Sequence, residues 1–238
     1  MAKKTSDITL EGFKFHIVMT GKAGTGKTVA AASWPKPYFF DFDNGLISLR
    51  GVKTDAEYDT YTDISSLQTK LKEFEHECPY ETLVFDSLTV LSDLLLVYYA
   101  KLNGHADAFG RPNKQVGILE FGQRIGWYMG FLCSLPRLPV HTIVICHEET
   151  VKDDLLGVLT SRPAVPGQQL PDQLPALCDE VWRFEMTRDA KDIPEVKVHT
   201  CGSGRFVGKS RIGLPVELTL KPGDSLFAKV TAAMAARK

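Results

Sequence analysis

The sequence predicts an α/β protein with a mostly parallel central sheet flanked by helices and with antiparallel strands added near the C-terminus. Three observations predict it. Apolar, strand-like runs alternate with segments of helical periodicity as far as His147, the pattern of strand–helix–strand units. A glycine-rich loop, Gly21-Lys22-Ala23-Gly24-Thr25-Gly26-Lys27-Thr28, sits between one such run and a helix-forming stretch. Beyond His147 the alternation gives way to two strand-like segments joined by a charged turn.

Each element follows in order. Residues 14–20 form a strand that ends in the loop, and 27–33 begin a helix stopped by Trp34-Pro35. Residues 38–41 make a short second strand. The stretch 65–77 carries Leu67, Leu71 and Phe74 at helical spacing and ends before Pro79. A third strand covers 82–86, and a long apolar helix 88–102. Residues 103–117, with Gly104, Gly110, Pro112, Gly117 and mixed charge, read as a loop. A helix follows over 118–135, closed by Pro136 and Pro139, and then the apolar run 140–146, typical of a buried parallel strand. Further on, 151–154 and 156–160 suit a hairpin, and the Pro- and Gln-rich stretch 162–175 suits a connection. Residues 180–186 and 195–201 suit an antiparallel pair around the turn 188–192. Asp224 is placed to cap a last helix running to Ala236. No linker interrupts the chain, so one domain is expected over 1–238, its core at about 13–215 and its last helix at about 224–236.

Bulk properties exclude several functional classes. With 44% apolar residues the chain can bury a core without disulfides or metals. Cys78, Cys133, Cys146, Cys178 and Cys201 are scattered, form no CxxC pair and read as reduced thiols. The six histidines lack ligand spacing. A net charge of −1 gives no whole-molecule attraction for nucleic acid, so any such contact must come from a local basic loop. No apolar run approaches the ~20 residues of a membrane span. The start, Met1-Ala2-Lys3-Lys4, is followed by polar residues rather than a signal-peptide core. The cytoplasm is the expected compartment, and no membrane partner is expected.

The chemistry begins at the glycine-rich loop, which matches GxxxxGK[ST] between a strand and a helix, as phosphate binding requires. This is a P-loop. Glycines at Gly21, Gly24 and Gly26 let backbone N–H groups turn inward around a phosphate, and the helix start adds a favourable dipole. Lys27 is placed to reach the β- and γ-phosphates and Thr28 to offer an oxygen to Mg²⁺, so ATP or a close relative is the expected ligand. Leu83-Val84-Phe85-Asp86 delivers a carboxylate at the end of a buried strand. Asp86 there is either a holder of Mg²⁺ or a helix cap, and downstream of a P-loop the first is expected. Phe39-Phe40-Asp41-Phe42-Asp43 brings two more carboxylates to the same sheet edge. Asp43 is the candidate to orient and deprotonate an attacking water, while for Asp41 or Asp43 an N-cap or a turn-former ahead of Asn44-Gly45 is the alternative. His147 ends the fourth strand as a γ-phosphate contact or a structural histidine, with Glu148 and Glu149 as further candidates for the base.

The order of these motifs resembles the RecA-type recombinase core. More closely, it is similar to the compact phage nucleotide-binding proteins of that superfamily, including RecA-like single-strand annealing proteins. The resemblance spans about 13–215 and implies a RecA-like P-loop ATPase using ATP and Mg²⁺. It places the catalytic carboxylate at Asp43, an aspartate where that family has glutamate, and the γ-phosphate sensor coupled to a DNA-binding loop at His147. It further implies that Lys209 and Arg211 reach a neighbour's nucleotide, hence a homo-oligomer with nucleotide at subunit interfaces. Single-stranded DNA would lie on 103–117, with His105, Phe109, Arg111 and Lys114, and on 148–172, with Lys152, Arg162, Gln168 and Gln169. No sizeable N-terminal polymerisation segment and no C-terminal DNA-gathering domain are expected, so the resemblance does not extend to strand exchange or filament formation. The function expected is therefore a Mg²⁺-dependent ATPase acting on single-stranded DNA in phage-type recombination or annealing. Two other readings stand beside it: a nucleotide-gated interaction module with negligible hydrolysis, and a P-loop kinase for a small acceptor. The kinase needs an arginine-rich lid, for which Arg162 is the lone candidate.

Overall fold

The structure, a computed structural model, describes residues 12–152 and 157–236. The N-terminal stretch examined for a signal peptide and the expected hairpin residues between 153 and 156 lie outside them. The first strand, β1 (His16–Gly21), runs into the glycine-rich loop and α1 (Lys27–Ala31). Next come β2 (Pro37–Asp41), a 3₁₀ turn (Gly45–Leu49), β3 (Glu57–Thr60), α2 (Ile64–His76), β4 (Thr82–Asp86) and α3 (Leu88–Leu102). Then α4 (Ile118–Ser134) and a 3₁₀ turn lead to β5 (His141–Cys146), β6 (Glu148–Lys152), β7 (Leu159–Pro163) and α5 (Leu170–Leu177). The chain continues through β8 (Glu180–Arg188), β9 (Pro194–His199), β10 (Lys209–Ser210), β11 (Glu217–Leu220) and α6 (Leu226–Ala235).

The main sheet has the order β11-β9-β8-β1-β5-β4-β2-β3, with β10 beside β8. From β8 to β3 every pairing is parallel, whereas β9, β10 and β11 join antiparallel, as expected for the C-terminal part. The sheet is covered on both faces, which is why β1, β2, β4 and β5 are buried at every position. Alternate residues divide between two cores. Val18, Phe40, Phe85 and Val144 face α2, α3, α4 and α5. Ile17, Met19, Phe39, Val84 and Ile145 face α1 and α6. Within the first core Phe40 and Phe85 stack at 4.6 Å, and such aromatic pairs add about 0.5–1.5 kcal/mol to simple burial.

Several elements differ from expectation, each for a local reason. β3, Glu-Tyr-Asp-Thr, is exposed throughout, so as an edge strand it carries no apolar pattern. The Pro-rich stretch contains α5 rather than only a connection, because Pro171 stands in its first turn, where a missing N–H costs nothing. The hairpin forms, but as β6 with β7, beginning at Glu148 directly after His147. Ser225, not Asp224, caps α6 by accepting from Ala228 N, while Asp224 accepts from Lys221 N and pairs with Lys229.

Candidate phosphate-binding site

Parallel strands deliver their carboxyl ends to one edge, and the site forms there. β1 sits between β8 and β5, and β5 separates it from β4. The residue after β5, His147, is thereby delivered between the P-loop and Asp86. A cavity of about 450 Å³ opens at this edge, lined by the loop from Ala23 to Val29 together with Asp43, Asp86 and His147.

The loop needs its glycines. A Cβ at Gly21 would lie 2.6 Å from Phe184 O on the neighbouring β8, and Gly26 holds φ 82° at the start of α1. Lys27 is folded back: its Nζ donates to Gly21 O and Lys22 O, both at 2.8 Å, across the concavity where a phosphate would lie. Burial lowers the Lys27 pKa, with the Asp86 carboxylate acting the other way. Thr28 Oγ1 donates to Asp86 Oδ2 at 2.7 Å. The cap of α3 falls to Ser87, whose Oγ accepts from Val90 N, so the Asp86 carboxylate is left facing Thr28. Asp86 is 4% exposed, and burial pushes its pKa up to about 6.

Asp43 both lines the cavity and shapes the turn. Its Oδ1 accepts from Gly45 N at 3.0 Å, after Asn44 at φ 57°. The neighbouring Asp41 is buried and points to the same amide at 3.3 Å. His147 has its pKa lowered by burial and by nearby Lys27, so its ring is neutral near pH 7. Its backbone N donates to Thr89 Oγ1, which in turn donates to Ala164 O. Glu148 and Glu149, the other candidates for the base, are taken up by Arg183 and Arg162 respectively.

The remaining candidates lie elsewhere. Ser210 is in register with Glu180 at the start of β8, the sheet edge opposite the cavity. Lys209 Nζ donates there to Pro175 O at 2.6 Å and Cys178 O at 2.8 Å, which holds it against the end of α5. Arg211 pairs with Asp179 but keeps a half-exposed head. Arg111 is held by Asp107 and covers the exposed ring of Phe109 at 5.1 Å. Lys114 and Lys152 are exposed. Sequence reasoning missed Thr89 and Arg183, since contacts 58 and 35 residues apart leave no local pattern.

The strand–loop–helix cradle, with Lys27 on the loop carbonyls and Thr28 on Asp86, is the framework of a nucleoside-triphosphate site. The AAA domain family model matches residues 14–212. The chain belongs to that family. Membership gives it a P-loop NTPase core on the α/β fold described above, a core type that implies nucleotide and, as a rule, Mg²⁺ as ligands. Among solved structures it is similar to the flagellar accessory protein FlaH from Methanocaldococcus jannaschii, at 10% identity and a TM-score of 0.44, over 95% of this chain and 94% of that one. No curated protein matches the chain. Among the described residues no helix is long and apolar enough to cross a membrane.

Proposed function

We propose that the chain is a Mg²⁺-dependent ATP hydrolase acting on single-stranded DNA in recombination or annealing of the phage type. The observation that carries the hydrolase reading is the single cavity on which the P-loop, Asp43, Asp86 and His147 converge. The loop amides and Lys27 hold the phosphates, Lys27 exchanging Gly21 O and Lys22 O for phosphate oxygens. A buried carboxylate beside a hydroxyl, Asp86 with Thr28, fits the sparse protein ligand set that Mg²⁺ takes next to phosphates and water. When bound, the ion neutralises charge on the phosphate oxygens. Asp43 orients the attacking water and draws its proton, and His147 donates toward the γ-phosphate. A second cavity of about 520 Å³, bounded by residues 51–55 and 223–225, shares Val29 with the first and gives ribose and base room. Across an oligomer interface Arg211, half-exposed beside Asp179, would leave that partner to reach a neighbour's phosphates.

Support for single-stranded DNA comes from the α3–α4 loop. Phe109 is 83% exposed with the Arg111 guanidinium over its ring, a platform for base stacking beside a phosphate contact. Lys114, and Lys152 with Arg162 on the β6–β7 hairpin, add charge. A second reading, a nucleotide-gated module with negligible turnover, draws on the engagement of all three candidate bases: Asp43 by Gly45 N, Glu148 by Arg183 and Glu149 by Arg162.

Steady-state hydrolysis with and without single-stranded DNA separates these readings, with Lys27→Ala as the control. DNA stimulation that disappears in Lys27→Ala and falls in Phe109→Ala is the expected result. Hydrolysis indifferent to DNA removes the DNA part, and tight binding without turnover favours the gated module.

A further inference from the structure

One buried ion pair starts a single residue beyond the cavity wall. Glu148 follows His147 and opens β6; its carboxylate, 2% exposed, accepts from Arg183 Nε at 3.0 Å and from Nη2 at 3.3 Å. Arg183 lies on β8 in register with Thr20, one residue before the P-loop begins at Gly21. The pair therefore bridges from the end of β5 across β1, beneath the root of the phosphate loop.

Arg183 also gathers what holds the rest of the hairpin. Its Nη1 donates to Glu185 at 2.8 Å, and its guanidinium covers the Phe206 ring at 4.9 Å. Phe206 belongs to the turn that docks β7: Ser161 N donates to Arg205 O at 2.7 Å, and Ser161 bridges Phe206. β6 is thus tied to Arg183 through Glu148, and β7 through Phe206. Stability alone does not account for the arrangement, because an apolar pair of similar volume commonly serves a buried site as well as an ion pair does. What an apolar pair cannot do is respond to charge. Phosphate entering the cavity places negative charge near Glu148, and Lys27, whose field reaches Glu148, turns from the loop carbonyls toward that phosphate.

We propose that Arg183 is a positioning residue of the nucleotide site: by clamping Glu148 it fixes His147 against the cavity and makes the docking of the β6–β7 hairpin depend on phosphate occupancy. The proposal rests on the nucleotide reading above. Arg183 touches no reacting atom; it acts through Glu148 and His147.

The test is hydrogen–deuterium exchange of the full chain with and without a non-hydrolysable ATP analogue and Mg²⁺, in wild type and in the double variant Glu148→Met/Arg183→Met. A fluorescent nucleotide measures binding independently. The double variant removes both charges together, so neither is left buried alone and the fold is retained. In wild type, exchange across 148–152 and 159–163 is expected to change at least five-fold on binding. The double variant should bind nucleotide within about three-fold of wild type, lose that change, and show kcat reduced about ten-fold or more at nearly unchanged KM. A double variant whose hairpin still responds as wild type does overturns the proposal while leaving the nucleotide reading standing. A wild type that binds but whose hairpin does not respond overturns it equally. Absence of binding by wild type overturns both.

Discussion

Two lysines of this chain each donate to a pair of backbone carbonyls at nearly the same distances. Lys27 reaches Gly21 O and Lys22 O at 2.8 Å, and Lys209 reaches Pro175 O and Cys178 O at 2.6 and 2.8 Å. Burial lowers the pKa of both. They differ in what surrounds them. Lys27 bonds to its own loop, beside a cavity and a buried carboxylate, so phosphate oxygens can take over its two acceptors. Lys209 ties the end of α5 to the β8–β10 edge by bonding two of its backbone carbonyls. The same contrast separates the two edges of the sheet. At the carboxyl ends, the groups lining the cavity keep replaceable partners: Asp86 accepts from the Thr28 hydroxyl at 2.7 Å. At the amino ends partners are locked: His141 Nδ1 accepts from Phe15 N, His16 pairs with Thr142, and Glu180 accepts from Trp182, Arg211 N and Ile212 N. Burial of charge at the first edge is preparation for a ligand; at the second it is architecture.

The sharpest way to break this comparison is to delete each lysine. Lys27→Ala is expected to weaken nucleotide binding or turnover by a hundred-fold or more with little change in Tm. Lys209→Ala is expected to cost about 1–2 kcal/mol of stability and leave nucleotide affinity within two-fold. Equal effects of the two variants on binding would remove the distinction. Next in size is Asp43→Asn, which should lower kcat by about 10- to 100-fold while leaving nucleotide Kd nearly unchanged, as single-turnover kinetics would show. Unaltered turnover would strip Asp43 of the water-activating role.

What could be read from the sequence follows from how strictly each part constrains residue type. The P-loop was legible because only glycine fits Gly21 against Phe184 O and only a lysine at its one position spans the loop. The buried strands announced themselves as apolar runs, such as Ile-Val-Ile-Cys in β5. β3 was silent because an exposed edge has no pattern to show, and α5 was hidden by Pro171 in its first turn and Pro175 within it. Long-range pairing left no trace either: nothing near Glu148 in the chain foretells Arg183. The motifs that converge on the cavity were visible as separate carboxylates, but that Ser87 caps α3 and frees Asp86 for Thr28 needed the fold.

Smaller effects sharpen the contrast through pH, where the two edges should pull in opposite directions. The Asp86 pKa in the folded state, about 6, lies above the ordinary carboxylate value, so its protonated form is favoured by folding. Its contribution is full at pH below about 4 and is lost as pH rises through 6. Asp86→Asn should therefore stabilise the nucleotide-free protein by about 1–3 kcal/mol at pH 8, and the gain should fade toward pH 4. His141 is held down to about 4 by burial, so folding favours its neutral form. That contribution is present above the unfolded value near 6.5 and is lost as pH falls through 4. His141→Gln should flatten the acid side of the stability profile by up to about 3 kcal/mol, measured by denaturant unfolding across pH 4–7.

The most direct test of the central claim is titration of wild type, Lys27→Ala and Lys209→Ala with a fluorescent ATP analogue in the presence of Mg²⁺. Saturable binding by wild type and Lys209→Ala that is lost in Lys27→Ala is the result expected if the carboxyl edge of the sheet is a nucleotide site. Binding that survives loss of Lys27, or that follows Lys209 instead, would contradict it.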